Sequence, residues 1–345
     1  LLKRDLVSAS TISSAARGEL QPAEPRLDRP PSLAAYAGRL FLGTSSWSFP
    51  GWAGLVYGRE ASEQTLSSKG LTAYAQHPLL NAVGIDRGFY APVSQTQFAQ
   101  YAAQVPAEFR FLIKAPDRVT GALIRDEKGR GVQLNSHHLD AEVARTEFVI
   151  PCIEGLGERA GVLVFQISPL PVQYLRESVA WMGRLGEFLD RLPRGPCYAV
   201  ELRDAALLTP RLMRTLKEAG AHYCLSLHDR MPPIDRQLRA LDVLQGPSGG
   251  PLIVRWNLHQ GLRYQAARAQ YAPFNRLVDE DLPTRTLLAQ RAGTHLLAGH
   301  TVTIIANNKA EGSAPLTLSR LAQAIDRHIT SPAVTSSATA VADGA

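Results

Sequence analysis

Cysteine is scarce in this chain. There are three in 345 residues, Cys152, Cys197 and Cys224, an odd number without the paired spacing of a zinc site. That excludes a disulfide scaffold and points to a reducing compartment, so a cytoplasmic protein is expected. No apolar run approaches the length that crosses a bilayer, and no membrane partner is expected. Residues 1–37 lack the apolar segment of a signal peptide, and Asp5, Glu19 and Glu24 argue against an organellar transit sequence. Runs of basic residues are missing as well. The net charge of +6 favours anionic ligands, yet nucleic acid is admitted rather than indicated. A glycine-rich phosphate fingerprint after the first strand is also absent, which weakens an open dinucleotide-binding sheet.

What the sequence has is alternation. Eight short apolar runs read as strands: Leu40–Ser45, Ala82–Asp86, Phe109–Lys114, Gly161–Ile167, Cys197–Leu202, His222–Leu227, Leu252–Trp256 and Thr301–Ala306. Helical patterns lie between them. Thr209 and Pro210 open a helix over Arg211–Ala219, with Gly220 as its stop, and Val172–Leu192 and Pro315–His328 carry apolar residues at helical spacing. Repeated strand–helix units predict an α/β fold, a parallel (β/α)8 TIM-type barrel over 38–330 as a single domain. A mobile arm is expected over 1–37, and a disordered Ser/Thr/Ala tail over 331–345. Two long loops leave strand C-termini, 115–139 and 257–275, and are placed as overhangs of the barrel mouth.

Side chains alternate across a strand, so each predicted strand can be sorted into two faces. In the fifth, Cys197, Ala199, Glu201 and Arg203 share one face, while Tyr198, Val200 and Leu202 share the other. Others repeat the design, with Asp86, Lys114, Gln166, His228, Arg255 and Asn307 at the C-terminal ends of faces that are otherwise small or apolar. Barrel enzymes place their chemistry at that end. The candidate catalytic set is Glu201 as general acid or base, Lys114 and Asp86 as its electrostatic partners, and His228. Lys114, Arg203, Arg255 and Lys309 suit an anion, with Gln166, Asn307 and Asn308 as further binding groups. Trp47, Tyr90 and Trp256 offer flat walls for a sugar ring or base. Plainer readings stand beside these. Glu201 with Arg203 also reads as an ion pair closing the barrel top, and His228-Asp229 as a turn. No cofactor is predicted. A divalent metal stays open, through His137, His138 and Asp140 or through Asp86, Glu201, His228 and Asp229, although adjacent histidines offer no helix-face chelation.

These stretches resemble the YecE-like proteins, a domain of unknown function numbered 72, over about 40–328. The matching residues are Gly43-Thr44-Ser45-Ser46-Trp47-Ser48 with Pro50-Gly51-Trp52, Phe89-Tyr90, Phe111-Leu112-Ile113-Lys114-Ala115-Pro116, Phe165-Gln166-Ile167-Ser168-Pro169, Ala199-Val200-Glu201-Leu202-Arg203, and Asn307-Asn308 with Gly312-Ser313-Ala314-Pro315. The resemblance implies a TIM-barrel-like fold and no settled reaction. Against the family's usual pattern the chain has Gly84 for a Glu, Asp86 for an Asn and Asp204 for a His, and Lys309 follows the paired asparagines. The expected function is acid–base chemistry, as a hydrolase, lyase or isomerase, on a small anionic substrate resembling a sugar phosphate or nucleotide. The alternatives are a non-catalytic barrel that binds a ligand or nucleic acid, and a metal-dependent hydrolase or nuclease. The oligomeric state is not legible.

Overall fold

Eight parallel strands close on one another in a ring, and a computed structural model describes them within residues 20–24, 27–246 and 249–331. The strands are β1 (Leu40–Thr44), β2 (Ala82–Ile85), β3 (Arg110–Lys114), β4 (Ala160–Gln166), β5 (Tyr198–Glu201), β6 (His222–Leu227), β7 (Leu252–Trp256) and β8 (Val302–Ala306). Each lies within one residue of its predicted bounds. Neighbours in sequence are neighbours in the barrel, and β1 closes the ring on β8 with Gly43 opposite Ile305. This is a TIM-type barrel.

Alternation divides the apolar residues into two separate cores. Inside the ring sit Phe41, Ala82, Leu112, Val162, Val164, Ala199, Cys224, Ile253 and Ile305. Outside it, the opposite faces of the same strands (Leu42, Val83, Phe111, Leu163, Val200, Leu225, Val254 and Ile304 among them) pack against the helices. The inner residues are mostly small or branched. They fill the barrel floor and leave the strand ends free for polar groups.

Local signals set the helices. Thr209 accepts a hydrogen bond from the Leu212 amide at 3.3 Å and Pro210 is the first residue of Pro210–Glu218. Gly220, with φ +69, turns the chain into β6 in a conformation that glycine adopts without strain. The stretch predicted as one helix over Val172–Leu192 is two, Val172–Arg176 and Ser178–Asp190. The first segment buries nothing, whereas the second buries Trp181, Met182, Leu185, Phe188 and Leu189. The chain leaves helical geometry at Glu177 and lays the second segment's apolar stripe on the barrel.

The predicted arm also differs. Residues 1–19, 25 and 26 lie outside the described residues, but 20–24 and 27–37 are packed against the barrel. Leu20, Ala23 and Leu33 are buried, the Ala23 amide donates to the Val56 carbonyl at 2.9 Å, and Pro31–Tyr36 forms a 3-10 helix. These apolar residues find cover only in the folded protein, so no period announces them. Residues 332–345 of the predicted tail lie outside the described residues. Of the two long loops, 115–139 holds a helical turn, Asp117–Thr120, and an exposed two-stranded hairpin, Leu123–Arg125 with Gly131–Leu134. The other, 257–275, carries the helix Tyr264–Tyr271.

Candidate active site at the C-terminal mouth

Five strands deliver a continuous polar and charged network to the mouth. Glu201, the last residue of β5, is 0% exposed above Ala199. Its Oε1 is ion-paired with Arg203 Nη2 at 2.6 Å and accepts from Ser226 Oγ at 2.9 Å; its Oε2 accepts from Arg255 Nη1 at 2.6 Å. Arg255, from β7, is 2% exposed and reaches across the ring. Its Nη2 donates to both oxygens of Asp86, at 2.8 and 2.7 Å. Gln166 Oε1, at the end of β4, accepts from Arg203 at 2.8 Å and from Arg255 at 3.2 Å. Five of the predicted residues (Asp86, Gln166, Glu201, Arg203 and Arg255) therefore form one cluster. Two carboxylates and two guanidiniums cancel one another's charge.

Two lysines add to this neutral cluster. Lys114 ends β3, is 8% exposed, and holds Nζ 3.5 Å from the centre of the Phe89 ring. Lys309 is likewise buried, its Nζ 4.2 Å from the centre of the Tyr264 ring on the 257–275 loop. Among the described residues neither ammonium has a hydrogen bond or ion pair, because nearby carboxylate oxygens are already bound to arginines.

The electrostatics follow from this arrangement. Burial would raise the Glu201 pKa, but Arg203, Arg255 and Lys114 outweigh it and hold the carboxyl at about 2. Burial lowers the Arg255 pKa, and Asp86 and Glu201 more than restore it, so this guanidinium stays charged. Burial also lowers Lys114; Asp86 opposes this, Arg255 adds to it, and the amine falls to about 8. Burial and Arg268 bring Lys309 to about 8 against the pull of Asp86. His228 is pushed down to about 4 by burial and Arg203, against Asp229, so its imidazole is neutral at pH 7. Its Nδ1 lies 2.7 Å from the Asp229 carboxylate.

A pH dependence of stability follows for Lys114. Its pKa is lower in the folded protein than in the unfolded chain. The unfolded chain therefore binds the extra proton between about pH 8 and 10.5, and stability rises with pH across that window. Below it, the buried charge destabilises the fold. Lys114→Met is expected to raise the unfolding free energy at pH 7 by about 1–3 kcal/mol and to flatten the rise above pH 8. Urea titrations at pH 7, 8, 9 and 10 check this. A destabilised variant would show that the ammonium has a stabilising partner.

The other predicted residues are placed differently. Asn307 sits at the rim, its amide donating to Ser45 Oγ at 2.8 Å. Asn308 turns away from the mouth; its Oδ1 accepts from Trp52 Nε1 at 3.2 Å and caps the following helix through the Ala314 amide at 2.8 Å. Trp256 is a correction to the sequence reading. It is wholly buried in the outer core, because alternation that sends Arg255 inward sends Trp256 to the helices. Tyr90 is 87% exposed and stacks edge-on against Phe89, so it stands outside the cluster. Trp47 donates Nε1 to the Ser67 carbonyl at 3.3 Å and walls a cavity of about 160 Å³ that also touches Ser45 and Asp86. His228 lines a larger cavity, about 370 Å³, with Asp229, His259 and Arg263. These two hollows flank the network.

Ser226, Asn257, Phe89 and Tyr264 were not in the predicted set. Ser226 bridges Arg203 and Glu201, receiving from Nη1 at 2.5 Å and donating at 2.9 Å; its inward register on β6 was the available signal. Asn257 Nδ2 lies 3.5 Å from Glu201 Oε1. Phe89 and Tyr264 were found only through their contacts with the lysines. The residues named for a metal are committed elsewhere. His138 Nε2 accepts from Trp181 Nε1 at 3.0 Å in the helix layer, while His137 faces Arg118 at 3.2 Å. Asp86 and Glu201 share Arg255. Among the described residues no group of three or more His, Cys, Asp or Glu side chains is arranged to hold a metal.

Comparison with known proteins adds a family to this geometry. The model of the "Protein of unknown function DUF72" family matches residues 41–340. The chain belongs to this family. DUF72 is also the domain that the YecE-like resemblance named, so the motif reading and the family model agree. Two solved DUF72 structures share the fold. The protein from Enterococcus faecalis V583 has 16% identity and a TM-score of 0.55, covering 83% of this chain and 95% of its own. The protein from Thermotoga maritima MSB8 has 16% identity and a TM-score of 0.54, covering 84% of this chain and 99% of its own. At that identity the likeness concerns the DUF72 fold alone. No curated protein matches the chain.

Proposed function

We propose that the C-terminal mouth binds a small anion of the sugar-phosphate or nucleotide kind and performs acid–base chemistry on it. The observation that carries this reading is the pair Lys114 and Lys309, two cations with no ion-pair partner among the described residues, beside a network whose charges already cancel. A ligand phosphate or carboxylate supplies what the protein withholds from them. Asn307 at the rim, and the exposed Arg268 within Coulombic reach of Lys309, add polar groups beside it.

The proton-transfer role moves from Glu201 to Lys114. A carboxylate ion-paired with two arginines and a pKa of about 2 is a weak base, whereas an amine near 8 exchanges its proton around neutral pH. Glu201 then acts as the fixed negative centre that orients Arg203 and Arg255. His228, neutral at pH 7 and held beside Asp229, offers a polar contact at the edge of the mouth in place of a proton-transfer group.

Thermal unfolding with inorganic phosphate, sugar phosphates, nucleotides and neutral sugars tests the reading. An anion at a hundredfold excess over its Kd adds about 2.7 kcal/mol, which reads as a rise of several degrees. The rise is expected to shrink in Lys114→Met and in Lys309→Met. Equal shifts from neutral sugars, or none from any anion, would remove the proposal. Binding of oligonucleotides with a steep salt dependence would favour a nucleic-acid ligand instead.

A further inference from the structure

Lys114 is an unusual lysine by position as well as by charge. A structural lysine in a cluster with two carboxylates ordinarily pairs with one of them. Here both Asp86 oxygens accept from Arg255, and Glu201 accepts from Arg255 and Ser226 and is ion-paired with Arg203. The amine is left over. It lies at the inward-facing end of β3, its Nζ resting against the Phe89 ring, with Arg203 and Arg255 close enough to disfavour its protonation. An amine held this way, desolvated and beside other cations, has the environment of a lysine that attacks carbonyl carbon.

We infer that Lys114 Nζ forms an imine with a carbonyl carbon of the bound anion, so that the ligand of this mouth bears an aldehyde or ketone together with its negative charge. This deepens the anion-binding reading above and rests on it. In the step, the Nζ lone pair attacks the carbonyl carbon and the carbonyl π pair moves to oxygen. A proton passes from nitrogen to that oxygen, giving the carbinolamine. The hydroxyl takes up a proton and leaves as water while the nitrogen lone pair closes the C=N bond, and the protonated imine so formed gives that proton back to become the neutral imine. One amine and one carbonyl become one imine and one water, with no change of oxidation state. The imine nitrogen, once protonated, is again a cation, and the Phe89 face that holds the ammonium holds it equally. Lys309, backed by Tyr264 and, like Lys114, within Coulombic reach of Asp86, is the candidate to take the anionic group of the same molecule.

The test uses the full chain with glyoxylate, pyruvate and glycolaldehyde phosphate, each with and without sodium cyanoborohydride, followed by peptide mass mapping. The expected result is a reduced adduct on Lys114 that forms at least tenfold faster than on the exposed Lys69, and faster at pH 8 than at pH 6. It should vanish in Lys114→Arg, which keeps the charge, and in Lys114→Met. Labelling of Lys114 no faster than Lys69, or an equally fast adduct elsewhere in Lys114→Arg, would overturn the inference. Thermal stabilisation by inorganic phosphate is read in parallel, because phosphate has no carbonyl. Stabilisation without an adduct defeats the imine and leaves the anion site standing; loss of both defeats the two together.

Discussion

Arg255→Met is expected to cost about 3–5 kcal/mol of stability, the usual penalty when one partner of a buried ion pair is removed. Arg255 bonds to two carboxylates from different staves, Glu201 on its own side of the ring and Asp86 across it. Methionine fills a similar volume, so packing changes little while Asp86 loses its ion-pair partner and Glu201 is left with Arg203 alone. Glu201, fully buried, has no route to water. Its carboxyl should then titrate well above its wild-type value, making the variant relatively less unstable at mildly acidic pH. Adding Asp86→Asn to Arg255→Met should recover part of the loss, since one orphaned charge is gone. Urea unfolding of the two single variants and the double variant measures the coupling. Additive losses would mean that Asp86 and Arg255 do not interact as their geometry indicates.

Glu201→Ala should destabilise by a similar amount, about 3–5 kcal/mol, for the opposite reason. It leaves Arg203 and Arg255 facing each other beside Lys114 with only Asp86 to offset them. The isosteric Glu201→Gln separates charge from shape. In the wild type the folded pKa of about 2 lies below the ordinary 4.5. Between those values the unfolded chain holds the proton and the folded protein does not. The contribution of Glu201 is therefore fully present above about pH 4.5 and is lost as pH falls towards 2. Glu201→Gln should be less stable at pH 7, and the difference from wild type should close through that acid window. A gap that stays constant from pH 7 to pH 3 would mean that Glu201 contributes through shape and hydrogen bonding, not through its charge.

Much of this arrangement was legible before any coordinates. The strand faces were, because a period of two is a local property. Once Ala199 is small and inward, Glu201 must be inward too, and the separate inner core of Ala82, Leu112, Val164, Ala199, Cys224, Ile253 and Ile305 follows from the same rule. The rule also contained its own correction for Trp256, which shares no face with Arg255. The packed portion of the N-terminal segment was not legible, since Leu20 and Leu33 follow no period and are covered only by distant parts of the chain.

By itself, then, the amino-acid order determined the staves, their inward faces and the collection of charged groups at one end of the ring, since each depends on residues two apart. Only the tertiary structure decided which charges neutralise one another. Arg255 and Asp86 are 169 positions apart, and their bond depends on closure of the ring and on two side-chain reaches meeting across it. That closure commits the carboxylates to arginine and leaves Lys114 and Lys309 against aromatic rings, because Coulomb attraction acts through space and takes no account of sequence distance.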